Sequence, residues 1–246
     1  MRSKTLSAVC ILLPAVFLLS ILPALAGDAP EKKAPARITF LTGDASVAAE
    51  GKEPVPAKLS MEVRTGDTVA TGADSRCEVT LMDGSILRMG ENGSHKIARA
   101  DFKEKKASVA VFSRAGRIWA KVSKTMDKNR EFSVGTDKAV CAVRGTVFNV
   151  STDSGQTDIS VFEGKVAAAP ALPAAGLSSP GKVSAPSSVP GPHAVTMARW
   201  VEIVSAMQRL VVKNDGTYSR SDITEDQVRE DPWVKWNRER DVAAEE

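Results

Sequence analysis

Two histidines, three cysteines and a scatter of turn carboxylates are what this 246-residue sequence offers for chemistry. His95 lies in a Gly-Ser turn region and His193 in a Pro-rich stretch, so any Ser-His-Asp or Cys-His site would have to recruit one of them. No Cys or His spacing suits zinc. Gly66, Gly72, Gly84 and Gly90 read as turn glycines, without the strand-to-helix loop that cradles phosphate. Asp67 can be paired on paper with Asp74 or Asp83. Turn aspartates are ordinarily solvated, and the pair gives no support to glycoside hydrolysis. The sequence therefore predicts no catalytic residue, no metal and no cofactor.

Arg144-Gly145-Thr146 is the most tempting remaining site. Arg144 could clamp a carboxylate or phosphate. Alternatively, Gly145 allows a bend or bulge while Arg144 pairs with Asp137 or Asp153. The structural reading is the better supported of the two.

These residues sit within a stretch that organises the chain, Val134 to Val166. Ala139 to Val143 is an apolar run. Thr146 to Ser151 alternates, with Val147 and Asn149 on one face and Thr146, Phe148 and Val150 on the other. Thr157 to Phe162 alternates again before Glu163-Gly164. Period-2 alternation between Gly, Asp and Ser turns predicts half-buried antiparallel strands. Upstream, Cys77–Leu81 and Ile86–Met89 flank Asp83-Gly84, a hairpin signal of the type I′ kind. Val109–Phe112 and Arg117–Val122 read as two strands around Ala115-Gly116, whereas Lys96–Ala100 and Lys103–Lys106 read as basic and exposed.

The stretch VCAVRGTVFNV followed by TDISVFEGKV resembles the FecR domain, a periplasmic all-β module. Gly66-Asp67, Thr71-Gly72, Ser75, Leu81 and Asp83-Gly84 strengthen the resemblance, as do Arg144-Gly145-Thr146 and Glu163-Gly164 downstream. It spans residues 37–168. The fold expected is all-β, either a twisted, solenoid-like β-roll or a sandwich of many short strands, with a short C-terminal helix.

Residues 1–26 read as a secretory signal peptide, with Arg2 and Lys4, an uncharged apolar run and an Ala-Leu-Ala cleavage site. Cys10 would leave with it. The expected location is periplasmic or secreted, without a stable membrane anchor once cleavage occurs. Basic and acidic side chains number 33 and 30, and losing Arg2 and Lys4 nearly balances them. Nothing in that balance calls for nucleic acid. Residues 27–36 form a polar leader, and 169–194 a Pro/Ala/Ser-rich linker. Cys77 and Cys141 each fall on an inward strand face. They either form a disulfide in an oxidising compartment or remain two buried thiols.

Residues 195–246 regain hydrophobicity: Trp200–Val204 and Leu210–Val212 suggest a strand pair, either completing the main β-structure or standing apart. Asp231-Pro232 starts a helix. Trp233 and Trp236 share one face of it, docked on the β-body or presented to a partner.

The resemblance implies a non-enzymatic module that binds an as yet unidentified envelope protein, in envelope signalling. Only about seven residues precede the apolar run, so the cytoplasmic anti-sigma segment of the classical regulator is not expected here. The alternative is a module binding cell-wall or extracellular glycan, which would need exposed rings from Trp119, Trp200, Trp233 or Trp236.

Overall fold

The computed structural model describes residues 34–103, 106–124, 130–171 and 201–243. The segment expected to be a signal peptide, most of the expected leader, the bulk of the expected linker, His193 and Trp200 lie outside the described residues.

Among the described residues the alternating stretches form seventeen strands. In chain order these begin with β1 (Ala36–Thr42), β2 (Ala45–Ala48), β3 (Val55–Pro56), β4 (Glu62–Val63), β5 (Thr68–Thr71) and β6 (Arg76–Leu81). There follow β7 (Ile86–Met89), β8 (Ser94–Lys103), β9 (Lys106–Lys121), β10 (Arg130–Gly135), β11 (Ala139–Val143) and β12 (Val147–Thr152). The last are β13 (Gln156–Glu163), β14 (Lys165–Pro170), β15 (Glu202–Ser205), β16 (Gln208–Lys213) and β17 (Tyr218–Asp222), before α1 (Glu225–Glu230) and α2 (Pro232–Ala243).

Hydrogen bonding arranges the strands in two layers that share β9. Sheet A runs β4-β1-β6-β7-β9-β12-β13-β16-β17. Sheet B runs β3-β2-β5-β8-β9-β10-β11-β14-β15. Inward side chains of both, such as Val79, Leu87 and Phe148 from A and Val69, Ile97 and Val134 from B, form one apolar core. Of the two architectures expected, the sandwich-like one describes this layering.

The two strands expected around Ala115-Gly116 are one. Residues Lys106 to Ala115 of β9 pair with β8 in sheet B, and Gly116 to Lys121 pair with β12 in sheet A. Gly116 takes φ +83°, and a Cβ there would lie 2.6 Å from the Cα of Gly93. Backbone approaches backbone at the crossing, so only glycine fits. Gly116→Ala should lower stability by about 1–3 kcal/mol from the backbone conformation alone, read in urea unfolding. A change within a few tenths would mean that the crossing tolerates a side chain.

Other expectations are corrected here. Lys103 and Lys106 are exposed as expected, whereas Lys96–Ala100 is only partly so: it lies in β8, which pairs with β9 and buries Ile97 and Ala100. At the β6–β7 turn only Gly84 has positive φ, and its N–H donates to the Leu81 carbonyl at 3.0 Å. A turn closed by a left-handed glycine replaces the type I′ turn. β15 and β16 do not pair with each other as expected. They extend sheet B at β14 and sheet A at β13, completing the main β-structure. The start of α2 is as the sequence predicts: Asp231 Oδ1 accepts from the Trp233 and Val234 N–H groups at 2.9 and 3.2 Å.

Candidate functional site

The outer faces of the two sheets differ, and that difference defines the candidate site. The outward positions of sheet A carry Glu78, Arg88, Trp119 and Asn149, adjacent in register across four strands. Helix α2 lies over them. Arg88 is only 1% exposed; its Nε donates to Glu78 at 2.6 Å and its guanidinium to Asp241 at 2.6 Å. Arg240 reaches the same Glu78 oxygen at 3.3 Å, and Trp119 Nε1 donates to Asp241 at 2.9 Å. Burial pushes the Glu78 carboxyl up, but hydrogen bonds from Arg88 and Thr39 outweigh it and hold the group below the ordinary carboxylate range. A buried arginine is tolerated here because each charge meets a partner.

Trp233 and Trp236 do not form an exposed patch. Trp233 is 7% exposed, and its Nε1 donates to Asn149 Oδ1 at 2.8 Å. Trp236 is half-buried and stacks on Trp233 with ring centres 5.5 Å apart, while Phe40 and Arg76 close over its other contacts. Both rings hold the helix to the sheet, so β12, predicted half-buried, is buried on both faces.

Between α1, α2 and sheet A lies a cleft of about 290 Å³ containing Arg117 and Arg209. Each is matched by a carboxylate, Arg117 by Asp231 at 2.6 Å and Arg209 by Asp158. The matching leaves the cleft without excess positive charge from this pair, and it is a poor anion site.

The sequence-predicted residues are brought together in part, at crossings between the layers. β11 in sheet B passes to β12 in sheet A through Arg144-Gly145-Thr146, and β13 returns to β14 through Glu163-Gly164. Gly145 has φ +58°, and a Cβ there would press on the Lys124 side chain at 2.9 Å. The Thr146 hydroxyl is within hydrogen-bond reach of the Arg144 and Lys165 carbonyls, at 3.1 and 3.2 Å. Asp137 and Asp153 are not placed as Arg144's partners: Asp137 pairs with Lys138 at 2.8 Å, and Asp153 Oδ1 accepts from the N–H groups of its own turn. Gly66-Asp67 ties its turn to β8 through Gly66 N–H to the Ile97 carbonyl at 2.8 Å. Asp83 accepts from the Ser85 N–H at 3.0 Å. These residues build turns and joints.

Cys77 and Cys141 are both free and buried, the second of the two alternatives the sequence leaves open. Cys77 sits in β6 of sheet A and Cys141 in β11 of sheet B, where each packs as a small apolar residue. Burial pushes both thiols up to about 12. We expect both to resist alkylation in the native protein and to react once urea unfolds it. A mass two protons lighter without reductant would overturn the free-thiol assignment.

His95 was read from sequence as part of a turn, yet it is fully buried on β8, and neither ring nitrogen has a hydrogen-bond partner among the described residues. Burial pushes its imidazole down to about 4. Among the described residues no group of three or more His, Cys, Asp or Glu could hold a metal. Sequence reasoning also missed the Glu78–Arg88–Asp241 network. The available signal was Glu78 directly opposite Arg88 across the Asp83-Gly84 hairpin.

The outer face of sheet B has no helix on it among the described residues. It forms a shallow trough of about 810 Å³ whose lining includes Arg99, Arg144, Lys165 and Glu131, with Arg130 at its rim paired to Asp83 at 3.8 Å. This is the candidate interaction surface.

Residues 67–167 match the family model described as FecR protein. Over these residues the chain is similar to the FecR family. The match runs from the end of the Gly66-Asp67 turn into β14, and the strands and helices outside it complete the same two layers. No curated protein matches the sequence. Two crystal structures, at 1.65 and 2.50 Å, of a candidate anti-sigma factor from Parabacteroides distasonis ATCC 8503 are similar, with 18% and 17% identity and a TM-score of 0.45 each. Each likeness covers 66% of this chain, which spans 62% of the length of those structures.

Proposed function

We propose that this protein is an exported, non-enzymatic FecR-domain module that binds another protein of the cell envelope in a signalling role. The FecR match over residues 67–167 carries the reading. Two features of the molecule support it. The family's signature residues are spent on turns and layer crossings, and among the described residues no helix covers the outer face of sheet B. The glycan-binding alternative needs exposed ring platforms, and Trp119 and Trp233 are buried.

Crosslinking in the producing cell, followed by mass spectrometry, tests the proposal. The expected result is reproducible capture of one envelope protein. Retention on peptidoglycan or polysaccharide without any protein partner would overturn it in favour of the glycan binder.

A further inference from the structure

The floor of the cleft beneath α1 and α2 is two outward rows of sheet A. One row is Arg117, Ser151 and Asp158, adjacent across β9, β12 and β13. The other is Asn149, Ser160 and Arg209, adjacent across β12, β13 and β16. Gln227 and Val228 of α1, with Asp231 and Val234 at the start of α2, line the opposite side. Nearby on the same face large side chains fill the space, with Trp119 and Phe162 stacked at 4.7 Å between ring centres. Here small hydroxyl residues leave about 290 Å³ open. Leucine or valine at positions 151 and 160 would close that gap and hold the helices more firmly, since apolar burial is favourable and a gap forfeits contacts. Docking the helices does not require the opening.

The polar groups around it are only half spent. All four charges in the lining are paired, Arg117 with Asp231 and Arg209 with Asp158, so the cleft is net neutral. Asn149 is 3% exposed, and its Oδ1 accepts from Trp233 Nε1 at 2.8 Å. That bond fixes the amide and leaves its own N–H groups without a partner among the described residues. Gln227 Oε1 likewise accepts from the Thr224 N–H at 2.9 Å and leaves its amide N–H groups over. Arg117 Nε is buried without a partner. Ser160 gives its proton to Asp158 at 3.0 Å and keeps its lone pairs.

A charged ligand would have to break one of the two ion pairs, and an apolar ligand would strand the buried donors. A hydroxyl group donates and accepts at once, which suits a lining with both capacities left over. The floor spans two strand intervals of ~4.8 Å by one same-face repeat of ~7 Å, roughly 10 by 7 Å, the footprint of a single pyranose ring. Phe162, Ile223, Val228 and Val234 supply an apolar wall for the C–H face of such a ring. We infer that the cleft between α1, α2 and sheet A binds one neutral sugar ring, with its hydroxyls on Asn149, Ser151, Ser160 and Gln227. The inference goes beyond the interaction-module reading and does not depend on it. It also differs from a polymer laid across exposed rings, because the space is enclosed and takes one ring.

Saturation-transfer NMR on the full chain tests the site with glucose, galactose, mannose and N-acetylglucosamine at millimolar concentration. Acetate and N-acetylalanine amide serve as the charged and the peptide-like probe. The expected result is transfer to at least one of the sugars. Ser151→Leu, which fills the floor, should weaken that binding about tenfold or more. Gln227→Glu should weaken it about threefold or more, as the loss of one donor. This second substitution keeps the acceptor of the capping box at the start of α1, so the urea midpoint should stay that of the wild type. No transfer to any of the four sugars would overturn the inference while leaving the interaction module standing. Sugar binding indifferent to both substitutions would overturn the cleft as its place. Transfer to acetate or to the amide and to no sugar, lost in Ser151→Leu, would overturn the ligand class.

Discussion

Arg88→Ala is expected to destabilise the protein by about 3–5 kcal/mol, the cost of breaking a buried ion pair by removing one partner. Arg88 is 1% exposed, and its loss leaves Glu78 and Asp241, with side chains 9% and 13% exposed, facing each other under α2 without their shared cation. Arg240 still reaches Glu78, and Trp119 Nε1 still donates to Asp241, so part of the network survives. Urea unfolding gives the magnitude. Trp fluorescence gives the location, because loosening of α2 uncovers Trp233 and Trp236 and shifts their emission to the red. The double variant Arg88→Met with Glu78→Leu should recover only part of the loss, since it removes the Glu78 charge but leaves the Asp241 carboxylate with Trp119 Nε1 as its donor. A loss below about 1 kcal/mol for Arg88→Ala would show that the rings alone hold the helix.

Acid should weaken the fold through His95 before it weakens it through carboxylates. The imidazole falls from its ordinary 6.5 to about 4 because burial disfavours the cation. The unfolded chain therefore binds a proton that the native state refuses. The contribution is fully present above pH 6.5 and is lost as pH falls towards 4, by about 3 kcal/mol in total at about 1.4 kcal/mol per pH unit. Glu78 and Asp231, both held below the ordinary carboxylate range, add their own loss only at lower pH. The interval from pH 6.5 to 5 thus isolates the histidine. His95→Leu removes a buried group whose nitrogens have no partner, and its unfolding free energy should be nearly flat across that interval. A variant that keeps the wild-type slope would show that another group refuses the proton.

Local patterning made the strands legible. Alternation in Cys77–Leu81, Thr146–Ser151 and Thr157–Phe162 sends one set of side chains to the core whatever the strand pairs with, because the side-chain period of a strand is two. Asp231-Pro232 announced α2 for an equally local reason, since a cap is satisfied within its own first turn. The family resemblance, carried by turn residues at fixed offsets, was legible too, and the match over 67–167 agrees with it.

Partner choice between distant segments was not legible. Arg88 meets Asp241 across 153 positions and Glu78 meets Arg240 across 162. No local period marks either pair. β9 read as two strands because glycine ordinarily ends an element; here it lets one strand pass between layers. His95 lies in what reads as a Gly-Ser turn region, and its burial was not legible because that depends on the β5 and β9 strands paired with β8. Cys77 and Cys141 shared inward faces in the sequence, yet only the assignment of β6 and β11 to different sheets left them apart as free thiols. Alternation and turn residues determined that this chain would be an all-β protein ending in a short helix, and left open whether its strands form a roll or a sandwich and whether that helix docks. The tertiary structure decided which face that helix covers, because coverage is set by long-range complementarity of charge and shape, to which short-range spacing is blind.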